Sequence, residues 1–542
     1  MVFVKSCVLF SVIICVFSQE LSVVSIKSNV GEIIGQRREH FTTYLGIPYG
    51  DVDDNDPFGP AAPHPNFKTP FKAFTDLSLC PQFVNGQPAG TIHCLQLNIY
   101  TPNDLKNGAK LPVMVFIHGG AFVEGDSRLS TYSPIFLMRH HVIIVTIHYR
   151  LGSYGLLCLR NTDYTNQALK DQNLALKWVK NNIKDFGGNG ENVTLFGHSA
   201  GAISTDYQLL FTENLFDKVI LQSGNAVNPA FYEEENTKFI KTLAKEIGFE
   251  TDKLNIKEFM KIVSHINSDY MLKITQNDTF KICIDGTFVK ETPDSEIENI
   301  KIMVGTTAKE ALYFYPNDNL NFTENYDFKS ALQQGFSKMD APAVETVKNF
   351  YLQDGVSQFA SNFVFNYPSE RAIRYYLENN AVVYRYLFNY DGGRNFMKVK
   401  KNITAVGTTH ADELSYIFDM DMFGNITAAD QVMIDRMTLL WTNFAKYGDP
   451  TPTSTAFPVK WLPITEGARP YLHIDTQLGL RDGSPFNKDT CFWDLYYYKY
   501  GFYYKGVNLD ENWEQCKIKN NSVTNRTSSF CMFLVLVVIF NN

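Results

Sequence analysis

Runs of apolar residues without alternation recur through the middle of this chain, and helical spacing separates several of them. Val113 to Ile117, Val142 to Ile147, Val193 to Phe196, Lys218 to Leu221 and Ile300 to Val304 have the continuity of strands buried on both faces. Gln167 to Lys184 instead places Ala168, Leu169, Leu174, Ala175, Trp178 and Val179 near three- and four-residue spacing, which predicts a helix. Tyr471 to Ile474 alternates like a plain strand. Strands interleaved with helices predict an α/β fold, with a large, mostly parallel central sheet covered by helices on both faces. In such sheets, sites form at the C-terminal ends of the strands. No repeat or low-complexity linker interrupts residues 20 to about 500.

The two ends follow a different pattern. Met1 to Lys5 give a short charged start, Ser6 to Phe17 an apolar run, and Val16-Phe17-Ser18 a small-residue cleavage rule before Gln19. This is the layout of a secretory signal peptide over residues 1–18, and the run is too short for a stable membrane span. At the other end, Asn520-Asn521-Ser522 are small residues, roughly Val523 to Ser529 a polar spacer, and Phe530 to Phe540 an apolar tail. That order is the layout of a glycosylphosphatidylinositol (GPI)-anchor signal, with Asn520 the first choice of attachment residue. The expectation is an extracellular protein held on the outer cell surface by lipid, or otherwise secreted.

Composition sharpens this picture. The chain has 542 residues, 45% of them hydrophobic, enough for a large core. With 49 basic and 57 acidic residues the net charge is -8, and no basic stripe stands out, which argues against a nucleic-acid partner. Secretion makes disulfides possible among Cys80, Cys94, Cys158, Cys283, Cys491 and Cys516. Sequons at Asn192, Asn277, Asn321, Asn402, Asn425, Asn520 and Asn525 suggest a glycoprotein.

The sharpest chemical signal is Gly197-His198-Ser199-Ala200-Gly201, between the strand Val193 to Phe196 and a helical segment, Ala202 to Leu210. This is the strand–turn–helix setting of a nucleophile elbow, in which a tight turn lifts the Ser199 hydroxyl above the sheet and aims the Ala200 N–H at a developing oxyanion. A second piece follows the strand Val113 to Ile117: His118-Gly119-Gly120-Ala121-Phe122. Glycines there let backbone N–H groups approach a ligand and stabilise an oxyanion, at about 3 kcal/mol for each donor.

With these segments the chain resembles a type-B carboxylesterase, the family that also contains the cholinesterases. The likeness runs from about Ile33 to Trp493. Its marks include Leu45-Gly46-Ile47-Pro48-Tyr49, Cys94-Leu95-Gln96-Leu97-Asn98, His148-Tyr149-Arg150-Leu151-Gly152, Gln222-Ser223-Gly224 and Trp441-Thr442-Asn443-Phe444-Ala445. The resemblance implies an α/β-hydrolase domain over residues 19–519, leaving 520–542 as spacer and tail. It also implies a carboxylic ester hydrolase working through an acyl-enzyme on a small-molecule ester, with no metal or organic cofactor in the chemistry. The fold orders its triad as Ser, acid, His. Among the histidines after Ser199, His410 in Thr409-His410-Ala411-Asp412-Glu413 matches the family's Gly-Val-x-His-Gly-x-Glu segment, whereas His265 precedes any plausible acid loop and His473 lies in the alternating strand. Glu310, closing Gly305-Thr306-Thr307-Ala308-Lys309-Glu310, is similar to the family's triad acid. By family position, Gly120, Ala121 and Ala200 donate to the oxyanion, Ser223 supports the triad, and Cys80 pairs with Cys94.

Four departures qualify the likeness. Ala121 stands where the family often has a third glycine, and Ile92-His93-Cys94-Leu95 replaces Glu-Asp-Cys-Leu. His198 occupies the position where cholinesterases carry Glu, and Pro81 to His93 contain no Trp to receive a choline group. The resemblance therefore implies an esterase other than a cholinesterase. A catalytically silent, neuroligin-like adhesion ectodomain is the alternative, since a fold alone does not fix function. Cys491 with Cys516 is a second candidate pair, and the pairing of Cys158, Cys283, Cys491 and Cys516, the natural ester and the oligomeric state stay open at this point.

Overall fold

The computed structural model describes residues 22–500, apart from 107, 160, 214, 234–236, 250–254, 337–338 and 466. The expected signal peptide over residues 1–18, Cys516, Asn520 and the apolar tail lie outside the described residues. Twelve strands form one continuous path through the main sheet: β1 (Val23–Ser28), β2 (Gly31–Arg37), β3 (Phe41–Pro48), β4 (Gln96–Pro102), β5 (Leu111–Ile117), β6 (Ile143–Ile147), β7 (Gly188–His198), β8 (Lys218–Gln222), β9 (Lys301–Thr307), β10 (Val382–Phe388), β11 (Pro470–Ile474) and β12 (Gly479–Asp482). Their order is β1-β2-β3-β4-β6-β5-β7-β8-β9-β10-β11-β12, and a short thirteenth strand, Phe71–Lys72, pairs with β2.

From β6 to β11 every neighbouring pair is parallel, while β1 to β4, the β4–β6 pair and β12 are antiparallel. The parallel part is the part whose strands read as unbroken apolar runs. β7 extends beyond its apolar stretch, because Gly188 pairs with Leu111 before a bulge. Its polar residues Asn189 to Asn192 hide that extension from an apolar count.

Alternation within the strands divides the core between the two faces. Val113, Val115, Ile117, Val193, Leu195 and Val219 pack with Leu169, Leu176 and Val179 of helix α1 (Gln167–Asn182). Met114, Phe116, Phe196, Ile220 and Met303 point the other way, into a cluster with Met437, Leu440, Trp441 and Phe444. Helix α2 (Ala200–Phe211) follows β7 directly, and helix α3 (Ala428–Tyr447) carries the second cluster. Much of the aromatic content sits in a third cluster, where Phe328, Phe336, Tyr351, Phe359 and Phe363 meet Phe492, Trp493 and Tyr496. The result is a sheet fixed from both sides, with the C-terminal ends of β5, β7, β8 and β9 side by side.

Candidate active site

β7 ends at His198, and Ser199 turns the chain into α2 with φ 56° and ψ -123°. A left-handed φ at a non-glycine residue costs of order 1–3 kcal/mol and persists only where the surroundings impose it. The two flanking glycines show what imposes it. A Cβ on Gly197 would lie 2.3 Å from the Gly201 carbonyl oxygen, and one on Gly201 would lie 2.0 Å from that of Ile117. The Ser199 N–H donates to the Gln222 carbonyl at 2.8 Å, and the Ile203 N–H returns to the Ser199 carbonyl at 2.9 Å. Ala200 opens the helix, where the first N–H groups lack acceptors within the helix and the macrodipole favours negative charge.

The loop after β5 lies against this turn. A Cβ on Gly119 would meet the His198 carbonyl oxygen at 2.7 Å and Ser199 Cβ at 3.1 Å. Gly120, Ala121 and Phe122 are all left-handed, with φ 115°, 54° and 62°. The Val123 and Glu124 N–H groups both donate to the Gly120 carbonyl, at 3.0 and 3.1 Å. A tight ring results, in which the N–H groups of Gly120 and Ala121 are not used by its internal hydrogen bonds. Ala121 is solvent-exposed, so its methyl has room despite the unfavourable φ.

Glu310 begins a short 3₁₀ turn three residues after β9 ends, and it is fully buried. Its Oε2 lies 2.6 Å from His410 Nδ1, while Oε1 accepts from the Ser223 hydroxyl and the Thr307 N–H, each at 2.6 Å. A carboxylate on Nδ1 holds the proton there and leaves Nε2 as the basic nitrogen. The two loops are further laced together. His410 N–H and the Thr409 hydroxyl both donate to the Glu310 carbonyl, at 3.1 and 3.0 Å, and Lys309 N–H donates to the Thr408 carbonyl at 2.9 Å. The His410 ring is walled by His198, Phe365 and Tyr313, with ring centroids 4.4, 4.8 and 5.9 Å away. Burial, and then the neighbouring His410, push the pKa of His198 far below its ordinary value, so His198 is neutral.

Ser199, Glu310, His410, Gly120, Ala121, Ala200 and Ser223 thus gather at adjacent strand ends. His265 is exposed beyond a separate helix, and His473 stays within β11, paired with Leu387. Cys80 and Cys94 are bridged, with Cα atoms 5.0 Å apart, and Cys158 is bridged to Cys283. Several contributors escaped the sequence reading. Glu413 is fully buried, accepts from Gln222 Nε2 at 3.2 Å, and has its pKa raised to about 8 by burial and by Glu310. Asp412 receives the N–H groups of Thr409, Met397 and Lys398 and so pins the His410 loop. Glu413 closes the segment that contains His410, and that placement was the available signal for it; Phe365 and Tyr313 carried none.

Comparison with known proteins gives a consistent picture. The Carboxylesterase family profile matches residues 21–493. Bile salt-activated lipase of Rattus norvegicus is 28% identical over 464 residues, covering 77% of this chain and 75% of that protein. Carboxylesterase 5A of Mus musculus is 28% identical, covering 71% of this chain and 70% of its own. Acetylcholinesterase of Bungarus fasciatus is 28% identical, covering 78% and 74%.

Proposed function

The chain belongs to the carboxylesterase family, and from that premise we propose that it is a serine hydrolase of carboxylic esters. Ester hydrolysis in general follows from the family and its relatives; the assignment of roles is our reading. Ser199 is the nucleophile, His410 the general base and Glu310 the acid that orients it. The observation that carries this reading is the Glu310 carboxylate seated 2.6 Å from His410 Nδ1, with the His410 ring packed on His198, the residue before a serine held in a left-handed turn.

The steps follow from these roles. His410 Nε2 takes the Ser199 hydroxyl proton as the oxygen attacks the ester carbonyl. Negative charge gathers on the carbonyl oxygen and is met by the N–H groups of Gly120, Ala121 and Ala200. Glu310 stabilises the imidazolium. The tetrahedral adduct collapses, and His410 gives its proton to the departing alcohol, leaving an acyl-Ser199. Water then repeats the sequence, losing its proton to His410, and the acid is released with Ser199 restored.

The substrate is an uncharged ester rather than a choline ester. His198 is neutral where a cholinesterase has Glu, and Pro81 to His93 offer no Trp as a cation–π face. The silent-adhesion alternative is not favoured, since Ser199, Glu310 and His410 are all retained. The protein enters the secretory pathway through residues 1–18 and is held at the outer cell surface through a GPI anchor near Asn520. Among the described residues no helix is long and apolar enough to cross a membrane.

The test is release of p-nitrophenol from a short p-nitrophenyl ester, alongside a panel of matched neutral and choline esters. Turnover of neutral esters, with no advantage for the choline ester, is expected. Efficient choline-ester hydrolysis would refute the substrate assignment, and the absence of any ester turnover would refute the function.

A further inference from the structure

The loop that carries Gly120 and Ala121 has an outgoing limb at Gly125, and that limb is gripped by a side chain from a distant segment. Gln82 Nε2 donates to the Gly125 carbonyl at 2.9 Å, and Gly125 N–H donates to Gln82 Oε1 at 2.9 Å. One amide therefore satisfies both backbone groups of one residue, as a neighbouring strand would. Gln82 Nε2 is also 3.2 Å from the Cys80 carbonyl, and the residue is buried. It sits in a small hairpin, Gln82–Val84 against Gln87–Ala89, inside the loop closed by Cys80–Cys94.

Gly125 in turn supports the reacting end of the loop. It is left-handed at φ 126°, and a Cβ there would fall 2.5 Å from both the Gly119 carbonyl oxygen and His118 Nδ1. Gly125 is therefore packed directly beneath His118 and Gly119, and Gly119 abuts Ser199 Cβ. The chain of contacts runs from disulfide to Gln82, to Gly125, to Gly119, to the nucleophile.

We propose that Gln82 is a positioning residue for the oxyanion hole: its amide clamp on Gly125 fixes the height of the Gly120 and Ala121 N–H groups relative to Ser199. This rests on the ester-hydrolase reading given above. Donors to an oxyanion act on the transition state far more than on the bound ester, so loosening them lowers kcat and spares KM. Gln82 touches no substrate; it acts through the loop.

The experiment compares the full chain with Gln82→Met and Gln82→Glu. Methionine fills the volume without the amide. The Met variant should lose about 10- to 100-fold in kcat with KM changed less than about threefold. Its inhibition by a trifluoromethyl ketone, which forms a tetrahedral oxyanion on Ser199, should weaken in proportion to kcat. The Glu variant gives a signature that a merely structural role would not. A protonated carboxyl reproduces both hydrogen bonds of the amide, whereas a carboxylate sets an oxygen against the Gly125 carbonyl. The ratio of its kcat to that of the unmutated protein should therefore rise as pH falls. The titratable groups beside this limb do not imitate the effect: burial lowers the pKa of His118 and His148, and Asp126 is paired with Arg128 at 3.1 Å. The Glu variant also decides the matter if the Met variant folds poorly. Wild-type turnover with an unchanged kcat in the Met variant, or a Glu-to-wild-type ratio flat with pH, overturns the role of Gln82 alone. No turnover by the unmutated chain overturns the ester-hydrolase reading beneath it.

Discussion

At Glu413, burial and charge act in the same direction. The carboxyl is sealed in the core, receives one hydrogen bond from Gln222, and shares its surroundings with Glu310, Asp412 and the Tyr386 phenol. Its pKa rises from the ordinary 4.5 to about 8. A raised acid contributes stability that is complete below the unfolded pKa and is lost as pH climbs through the folded one. Between about pH 4.5 and pH 8 the native protein therefore gives up stability that a neutral side chain would keep. Glu413→Gln should melt higher than the unmutated chain at pH 8, and the difference should close toward pH 4.5; scanning calorimetry across that range checks it. An equal difference at both ends would contradict the assignment. Glu310→Gln tests the other carboxylate. A carboxamide can turn its NH₂ toward His410 Nδ1 and favour the wrong tautomer, so kcat should fall by about 10³- to 10⁴-fold with the fold retained. Steady-state kinetics with circular dichroism as a control measures this. Neither effect could be assigned from composition, because each depends on which groups share a buried volume.

Among the elements, the elbow was legible because its two glycines answer a local steric demand. The β7 apolar run and Gly197-His198-Ser199-Ala200-Gly201 lie next to each other in sequence, and the structure needs them next to each other in space. Gly201→Ala should prevent the turn from closing, because its methyl would fall 2.0 Å from the Ile117 carbonyl oxygen. Loss of soluble protein or of activity on expression is the expected outcome, and a fully active variant would contradict the packing. The two disulfides among the described residues divide differently. Cys80–Cys94 spans 14 residues and Cys158–Cys283 spans 125. In the chain-entropy view, closing loops of these sizes contributes about 3 and about 5 kcal/mol. The pairing of Cys158 with Cys283 could not be read from the sequence, since nothing in spacing links residues so far apart. Removing it by Cys158→Ser with Cys283→Ser should lower the melting temperature more than the Cys80 and Cys94 double change. The Cys80 and Cys94 change should lower kcat more, because that loop carries Gln82. Melting curves and kinetics on the two double variants separate these effects, and matched losses of kcat would count against the clamp.

For the molecule as a whole, the parallel half of the sheet was legible and much of the antiparallel half was not. Strands buried on both faces leave an unbroken apolar signature, as Val113 to Ile117 does. β1 does not: in Val23–Ser28 its side chains alternate between exposed and half-buried, with no fully buried position to anchor a reading. The family resemblance of their segments, together with the Ser, acid, His order, pointed to Glu310 and His410, but the lacing of their loops through Thr408, Thr409 and Ser223 emerges only when β8, β9 and the His410 loop converge. The terminal segments make a prediction of their own. Phosphatidylinositol-specific phospholipase C applied to intact expressing cells should release esterase activity into the medium. Activity that stays on washed cells, or is free before treatment, would contradict the anchor. Covalent trapping asks whether Ser199 is the group that attacks the ester carbonyl. The purified full chain is treated with a fluorophosphonate, digested and mapped by mass spectrometry. One adduct is expected, on the peptide containing Ser199, abolished in Ser199→Ala while the variant remains folded. An adduct on another residue, or labelling that survives the substitution, would contradict it.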